Sequence, residues 1–120
     1  MKISICLATY NGSLHIREQL DSILAQDLSS IPDAEMEIIV SDDMSTDDTV
    51  AIIDSYEDSR ITIISHVEKR HTKHYNALHA ATANFANAME HATGEYIFLS
   101  DQDDRWYPNK VASSIALIQQ

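Results

Sequence analysis

The chain has 120 residues, 44% of them hydrophobic, with nineteen acidic residues against eight basic ones and a net charge of −11. This length predicts one domain over residues 1–120 and sets two separate cores aside. No stretch approaches the roughly 18 uninterrupted apolar residues of a membrane span, and the negative charge opposes a phosphodiester backbone, which excludes nucleic acid as a partner.

Met1-Lys2 before an apolar run has the outline of a secretory leader, but the run stops at Thr9-Tyr10-Asn11 and reads as a buried first strand from Ile3 to Ala8. Cys6 is the only cysteine, so no intramolecular disulfide can form. Its place in the apolar run marks it as a small core residue, and a reducing cytoplasm fits. Asn11-Gly12-Ser13 matches a glycosylation sequon, a short pattern that nothing else supports.

Ile16, Leu20, Ile23 and Leu24 follow at helical spacing and predict a first helix. Asp27 to Glu35, with Pro32, is an irregular loop before a second strand over Glu37 to Val40. Ser45-Thr46-Asp47-Asp48 then supplies an N-cap, with acids in the first turn of a helix running to about Tyr56. Ile61 to Ile64 is a third strand. Val67 to Lys73 is a polar loop, and an Ala/Asn/His-rich helix spans about Tyr75 to His91, with Gly94 as its terminator. Tyr96 to Leu99 is a fourth strand, and a last helix begins at Pro108. This βαβαβαβα alternation predicts an α/β fold with a mostly parallel sheet, helices on both faces and ligands bound beyond the carboxyl ends of the strands.

Those ends carry the candidate chemistry. Gly12 and Gly94 are the only glycines, so neither a dinucleotide nor a P-loop glycine signature can be built. After the first strand, Tyr10 could stack on a base and Thr9 and Asn11 could offer hydrogen bonds, or the segment is simply a turn that starts the helix. After the second strand, Asp42 and Asp43 could accept from a nucleobase N–H, which would favour uridine, thymidine or guanosine, or could cap the helix that follows. After the fourth strand, Asp101 and Asp103 are two residues apart, so in an extended segment their side chains project to one side about 7 Å apart. Two carboxylates are hard oxygen ligands for Mg²⁺ or Mn²⁺ that leave coordination sites open for substrate phosphates. An acidic capping loop is the plainer alternative. Trp106 and Tyr107 could form a sugar or base platform, or pack the last helix onto the sheet. The cluster Lys69-Arg70-His71 with Lys73-His74 could reach a phosphate or be a solvated loop, and the histidines read as surface residues with no zinc pattern.

Four stretches in this order resemble the N-terminal portion of family 2 glycosyltransferases of the GT-A fold. They are Ser4-Ile5-Cys6-Leu7-Ala8-Thr9-Tyr10-Asn11-Gly12, Glu18-Gln19-Leu20-Asp21-Ser22-Ile23-Leu24-Ala25-Gln26, Ser41-Asp42-Asp43, and Gly94-Glu95-Tyr96-Ile97-Phe98-Leu99-Ser100-Asp101-Gln102-Asp103-Asp104. The resemblance implies that Ala8 and Tyr10 line the base and ribose site and that Asp42 reads the base. It also implies that Asp101-Gln102-Asp103 is the DxD motif, with Asp101 and Gln102 beside the nucleotide and Asp101 and Asp103 on the divalent cation, Asp103 foremost. Transfer of a sugar, with inversion, from a nucleoside-diphosphate-sugar donor to a polysaccharide, lipopolysaccharide or other glycan acceptor follows from it, as does work at the cytoplasmic membrane face.

The resemblance further places the acceptor site and catalytic base downstream of Gln120. The chain is thus expected to be a donor-binding half, inactive alone and prone to self-association through an uncovered sheet edge. Two departures stand out. Met44 occupies a position where the family usually has glycine; at positive φ it would cost about 1–2 kcal/mol. Glu68 to Lys73 replaces the family's usual Asn-Leu-Gly. A phosphotransfer receiver-like domain, which would need an aspartate where Ser65-His66 stands, and a non-enzymatic α/β binding domain are the competing readings.

Overall fold

In the computed structural model, residues 1–66, 77–101 and 104–120 are described. They form β1 (Lys2–Thr9), α1 (Ile16–Leu24), β2 (Glu35–Asp42), α2 (Thr49–Asp54), β3 (Ile61–Ser65), α3 (Ala77–Glu90), β4 (Tyr96–Asp101) and α4 (Lys110–Ile118). The four strands make one sheet in the order β3-β2-β1-β4, and every pairing is parallel. The predicted alternation and parallel sheet are therefore present.

β1 is the central strand that its composition requires. Ile3 to Thr9 are all buried, because helices cover both faces of a parallel sheet and a near-continuous apolar run is the sequence consequence. Ile3, Ile5 and Leu7 point to one face, where Ile38 and Val40 of β2 meet Ile16, Leu20 and Ile23 of α1, Ile53 of α2, and Val111 and Ile115 of α4. Cys6 and Ile39 point to the other and meet Ala88 of α3. Burial pushes the Cys6 thiol up to about 11, with the Glu37 carboxylate adding to the shift, as expected of an inert core thiol.

β4 ends the described sheet. Its register sets Ile97 beside Ser4 and Leu99 beside Cys6, yet Ile97 and Leu99 are 43% and 51% exposed, so this strand carries uncovered apolar surface. Trp106 resolves one of the open alternatives: it lies in the core, tilted against Phe98 at 6.1 Å between ring centroids, with Lys110 Nζ 5.0 Å above its ring. Tyr107 is exposed.

Three local expectations are corrected. The acids before α2 do not enter its first turn; instead Asp47 Oδ1 accepts from Thr49 N at 3.0 Å. α4 begins at Lys110 rather than Pro108, because the Pro108 carbonyl is used to accept from Asp27 N at 2.9 Å. Gly94 lies beyond the end of α3 at Glu90 and is not its terminator. A Cβ there would sit 2.6 Å from Ser4 Oγ and 2.7 Å from Ser4 N, so glycine is needed for close approach to β1, where Gly94 N donates to Ser4 Oγ at 2.8 Å. The Lys69–Lys73 cluster, His71, His74 and the expected start of α3 at Tyr75 lie outside the described residues.

Candidate functional site

The carboxyl ends of β1, β2 and β4 lie side by side. Thr9 is in register with Asp42, and Ala8 with Ser41 and Asp101. Two strand spacings, about 10 Å, therefore separate the end of β2 from that of β4. The sheet thus brings the Thr-Tyr-Asn turn, the Asp42-Asp43 pair and Asp101 to one rim. Gln102 and Asp103 lie outside the described residues.

At this rim Asp42 is an internal organiser. Its Oδ1 accepts from Thr9 Oγ1 and from Ser45 Oγ, both at 2.6 Å, and its Oδ2 accepts from Ser45 N at 2.9 Å. The carboxylate is nearly buried, and three hydrogen bonds offset its desolvation. Asp43 follows, also buried, its N–H donating to the Thr9 carbonyl at 2.9 Å.

A second clasp joins the two turns. Asn11 takes φ 49°, and its Oδ1 accepts from Thr46 N at 2.8 Å. Asn11 N donates to Ser45 Oγ at 2.9 Å, Gly12 N to Thr49 Oγ1 at 2.9 Å and Ser13 N to Asp47 Oδ2 at 3.1 Å. The Thr9 hydroxyl and the Asn11 side-chain oxygen are thus engaged in building the turn. Hydrogen bonding to the Thr49 hydroxyl above all holds the Asp47 carboxyl down at about 2. Because the folded value is depressed, this contribution is complete above the ordinary value of 3.8 and is lost as pH falls through about 2.

Met44 sits between the acids and Ser45 with φ 52°, its side chain 61% exposed. The turn needs this left-handed residue so that Ser45 N can return to Asp42, and a Cβ there costs about 1–2 kcal/mol. Glycine loses more backbone freedom on folding, which offsets part of the gain. Met44→Gly is therefore expected to raise stability by about 1 kcal/mol, read as a higher urea midpoint at unchanged slope.

Behind the rim, α3 supplies polar support that sequence reading missed. Ser41 Oγ donates to Asn84 Oδ1 at 2.6 Å, Asn84 Nδ2 donates to the Thr9 carbonyl at 3.3 Å, and Asn87 Nδ2 donates to Ser41 Oγ at 2.9 Å and to the Ser65 carbonyl at 3.1 Å. The available signal was two asparagines three residues apart, which share a face of an otherwise Ala-rich helix. Tyr10 is 37% exposed at the rim, whereas Ala8 is 7% exposed.

The β4 end is held from α1. Gln19, fully buried, donates through Nε2 to Ser100 Oγ and to the Asp101 carbonyl. Asp104 Oδ2 accepts from Asp101 N at 3.2 Å, and Asp104 N donates to the Asp101 carbonyl at 3.0 Å. Asp101 itself is exposed. Among the described residues no group of three or more His, Cys, Asp or Glu side chains converges to hold a metal. Asp101, exposed at the rim, carries hard oxygen donors of the kind a divalent cation takes.

Comparison with known proteins places this arrangement. The chain is 37% identical over 112 residues to the dTDP-rhamnosyl transferase RfbG of Shigella flexneri, a match covering 91% of this chain and 35% of that protein. The structure of Staphylococcus aureus TarS in complex with UDP-GlcNAc superimposes with a TM-score of 0.73 at 27% identity, over 99% of this chain and 31% of that one. The mannosyltransferase PcManGT from Pyrobaculum calidifontis, in complex with GDP-Man and Mn²⁺, does so with a TM-score of 0.73 at 26% identity, over 98% and 32%. The chain spans about a third to two-fifths of the length of the curated relatives it matches first. The family model for glycosyl transferase family 2 matches residues 4–120. With four parallel strands in GT-A arrangement and that match over nearly its whole length, the chain belongs to glycosyl transferase family 2.

Proposed function

We propose that the three strand ends form the donor site of an inverting, metal-dependent glycosyltransferase that takes its sugar from a nucleoside diphosphate, UDP foremost, and passes it to a polysaccharide, lipopolysaccharide or other glycan acceptor. The carrying observation is the register that sets Thr9, Asp42 and Asp101 along one rim. Tyr10 lies beside the base and ribose. Asp42, held in place by the bonds its oxygens accept from Thr9 and Ser45, reads the base N–H, with Asp43 beside it. Asp101 and Gln102 lie beside the diphosphate, and Asp101 with Asp103 holds the cation.

The chemistry follows from charge. Breaking a sugar–diphosphate bond leaves an anionic diphosphate in a pocket that is itself acidic. A bound divalent cation, Mn²⁺ or Mg²⁺, supplies Lewis-acid stabilisation of that leaving charge. The protein's own task at this rim is orientation: it seats the nucleoside between Tyr10 and the β2 acids and aims the diphosphate at the β4 end. An acceptor hydroxyl then attacks the anomeric carbon from the opposite side, its proton taken by a base that this reading places beyond Gln120. On this reading the chain alone binds donor without turning it over. Titration calorimetry with UDP tests it: binding at least tenfold tighter in Mn²⁺ than in EDTA is expected, and equal binding in the two sinks the metal role.

A further inference from the structure

Gln19 is a polar residue in an apolar place. It lies on α1 among Ile16, Leu20 and Ile23, all of them fully buried, and is itself fully buried. Its Nε2 donates to Ser100 Oγ and to the main-chain carbonyl of Asp101, while its Oε1 has no hydrogen-bond partner among the described residues. A buried amide with an unmet acceptor is costly, and an apolar side chain of similar shape carries no such penalty. Set against the two bonds it donates, that cost leaves the amide little net stability to supply.

What it supplies is position. The Asp101 carbonyl that it holds also accepts from Asp104 N at 3.0 Å, so the amide meets the β4 end where the acidic segment begins. Ser22 on the same helix and Gln26 just past its end hold the residues that follow. Ser22 Oγ accepts from Trp106 N at 3.0 Å, Gln26 Nε2 donates to the Tyr107 carbonyl at 2.7 Å, and Gln26 Oε1 accepts from Val111 N at 3.0 Å. Gln19 and Ser22, three residues apart on α1, and Gln26 just past its end thus hold the chain at Ser100 and Asp101 and again at Trp106 and Tyr107.

We propose that Gln19 is the positioning residue of the Asp101 carboxylate: by fixing the Asp101 main chain, it sets the direction in which that side chain projects toward the cation. This rests on the donor-site reading above. It makes the metal-dependent part of nucleotide binding sensitive to Gln19 and leaves the metal-independent part, built at the ends of β1 and β2, untouched.

Gln19→Leu and Gln19→Met test it in the 120-residue chain, with three readouts: the thermal midpoint, UDP affinity in EDTA, and UDP affinity in Mn²⁺. The expected result is folded variants with a midpoint within a few degrees of the unsubstituted chain, affinity in EDTA within about twofold, and a fall of about tenfold or more in the Mn²⁺ enhancement, the size seen when supporting contacts of a metal site are removed. A folded variant that keeps the full enhancement overturns the inference. So does an equal loss of affinity with and without Mn²⁺, or failure of both variants to fold, since either makes the amide a structural element. An unsubstituted chain without any Mn²⁺ enhancement refutes the donor-site reading instead, and the inference falls with it.

Discussion

Asp103→Ala is expected to remove the Mn²⁺-dependent tightening of UDP binding, a loss on the order of 100-fold, since even supporting contacts of a metal site are worth about 10–100-fold. The reason is electrostatic. The chain carries a net charge of −11 and presents Asp42, Asp43 and Asp101 at adjoining strand ends, so a diphosphate meets negative charge unless a cation stands between. Mg²⁺ and Mn²⁺ are held through one or two carboxylates plus substrate phosphates rather than by an all-protein cage. In the proposed donor site, removing one of two protein ligands therefore leaves too little to keep the ion. Asp43→Ala, which in the proposed donor site touches the base end alone, is expected to weaken binding less and to leave the Mn²⁺ enhancement intact. Calorimetry of both variants, with and without Mn²⁺, separates the two ends of the site.

Asp42→Ala is expected to act on the fold first. The substitution strips the acceptor from the Thr9 hydroxyl and from both donors of Ser45, in a place where Thr9 is 1% exposed. Donors left unmet in a buried site cost about 1–3 kcal/mol apiece, less where water reaches them. The turn bearing Met44 at positive φ also loses the bonds that hold its strain. A total near 3 kcal/mol follows, or a fall of roughly 10 °C in thermal midpoint for a domain of this size. Donor binding should weaken as well, because the turn that carries Asp43 loosens. Asp42→Asn, which keeps one acceptor, should lose about half as much stability. A midpoint unchanged in both variants would show that the three bonds do not organise the turn.

The architecture was legible in the sequence because a parallel sheet covered on both faces imposes a pattern: β1 reads as an apolar run since Ile3 to Thr9 are all buried, and α1 reads as a stripe since Ile16, Leu20 and Ile23 share one face. The strained turn was legible too, because methionine stands where a glycine is usual and the backbone takes φ 52°. Periodicity tells which side of an element meets the core, but not what a polar residue on that side meets when it arrives. The role of Asp42 as an internal acceptor, the support of Ser41 by Asn84 and Asn87, and the grip of Gln19 on Asp101 all join residues from about 30 to 80 positions apart. No local pattern announces such pairs. Gly94 was read as a helix terminator for the same reason: the neighbour that demands glycine, Ser4, is 90 positions away in the chain.

The most direct test locates the ligand. In a ¹⁵N-labelled sample of the chain titrated with UDP and Mg²⁺, the largest amide shifts should fall at Thr9 to Gly12, Ser41 to Met44 and Ser100 to Asp104, the turns at the carboxyl ends of β1, β2 and β4. Shifts gathered instead at the opposite rim, around Glu35, Arg60 and Glu95, or no saturable shifts at millimolar UDP, would contradict a donor site built from these three strand ends.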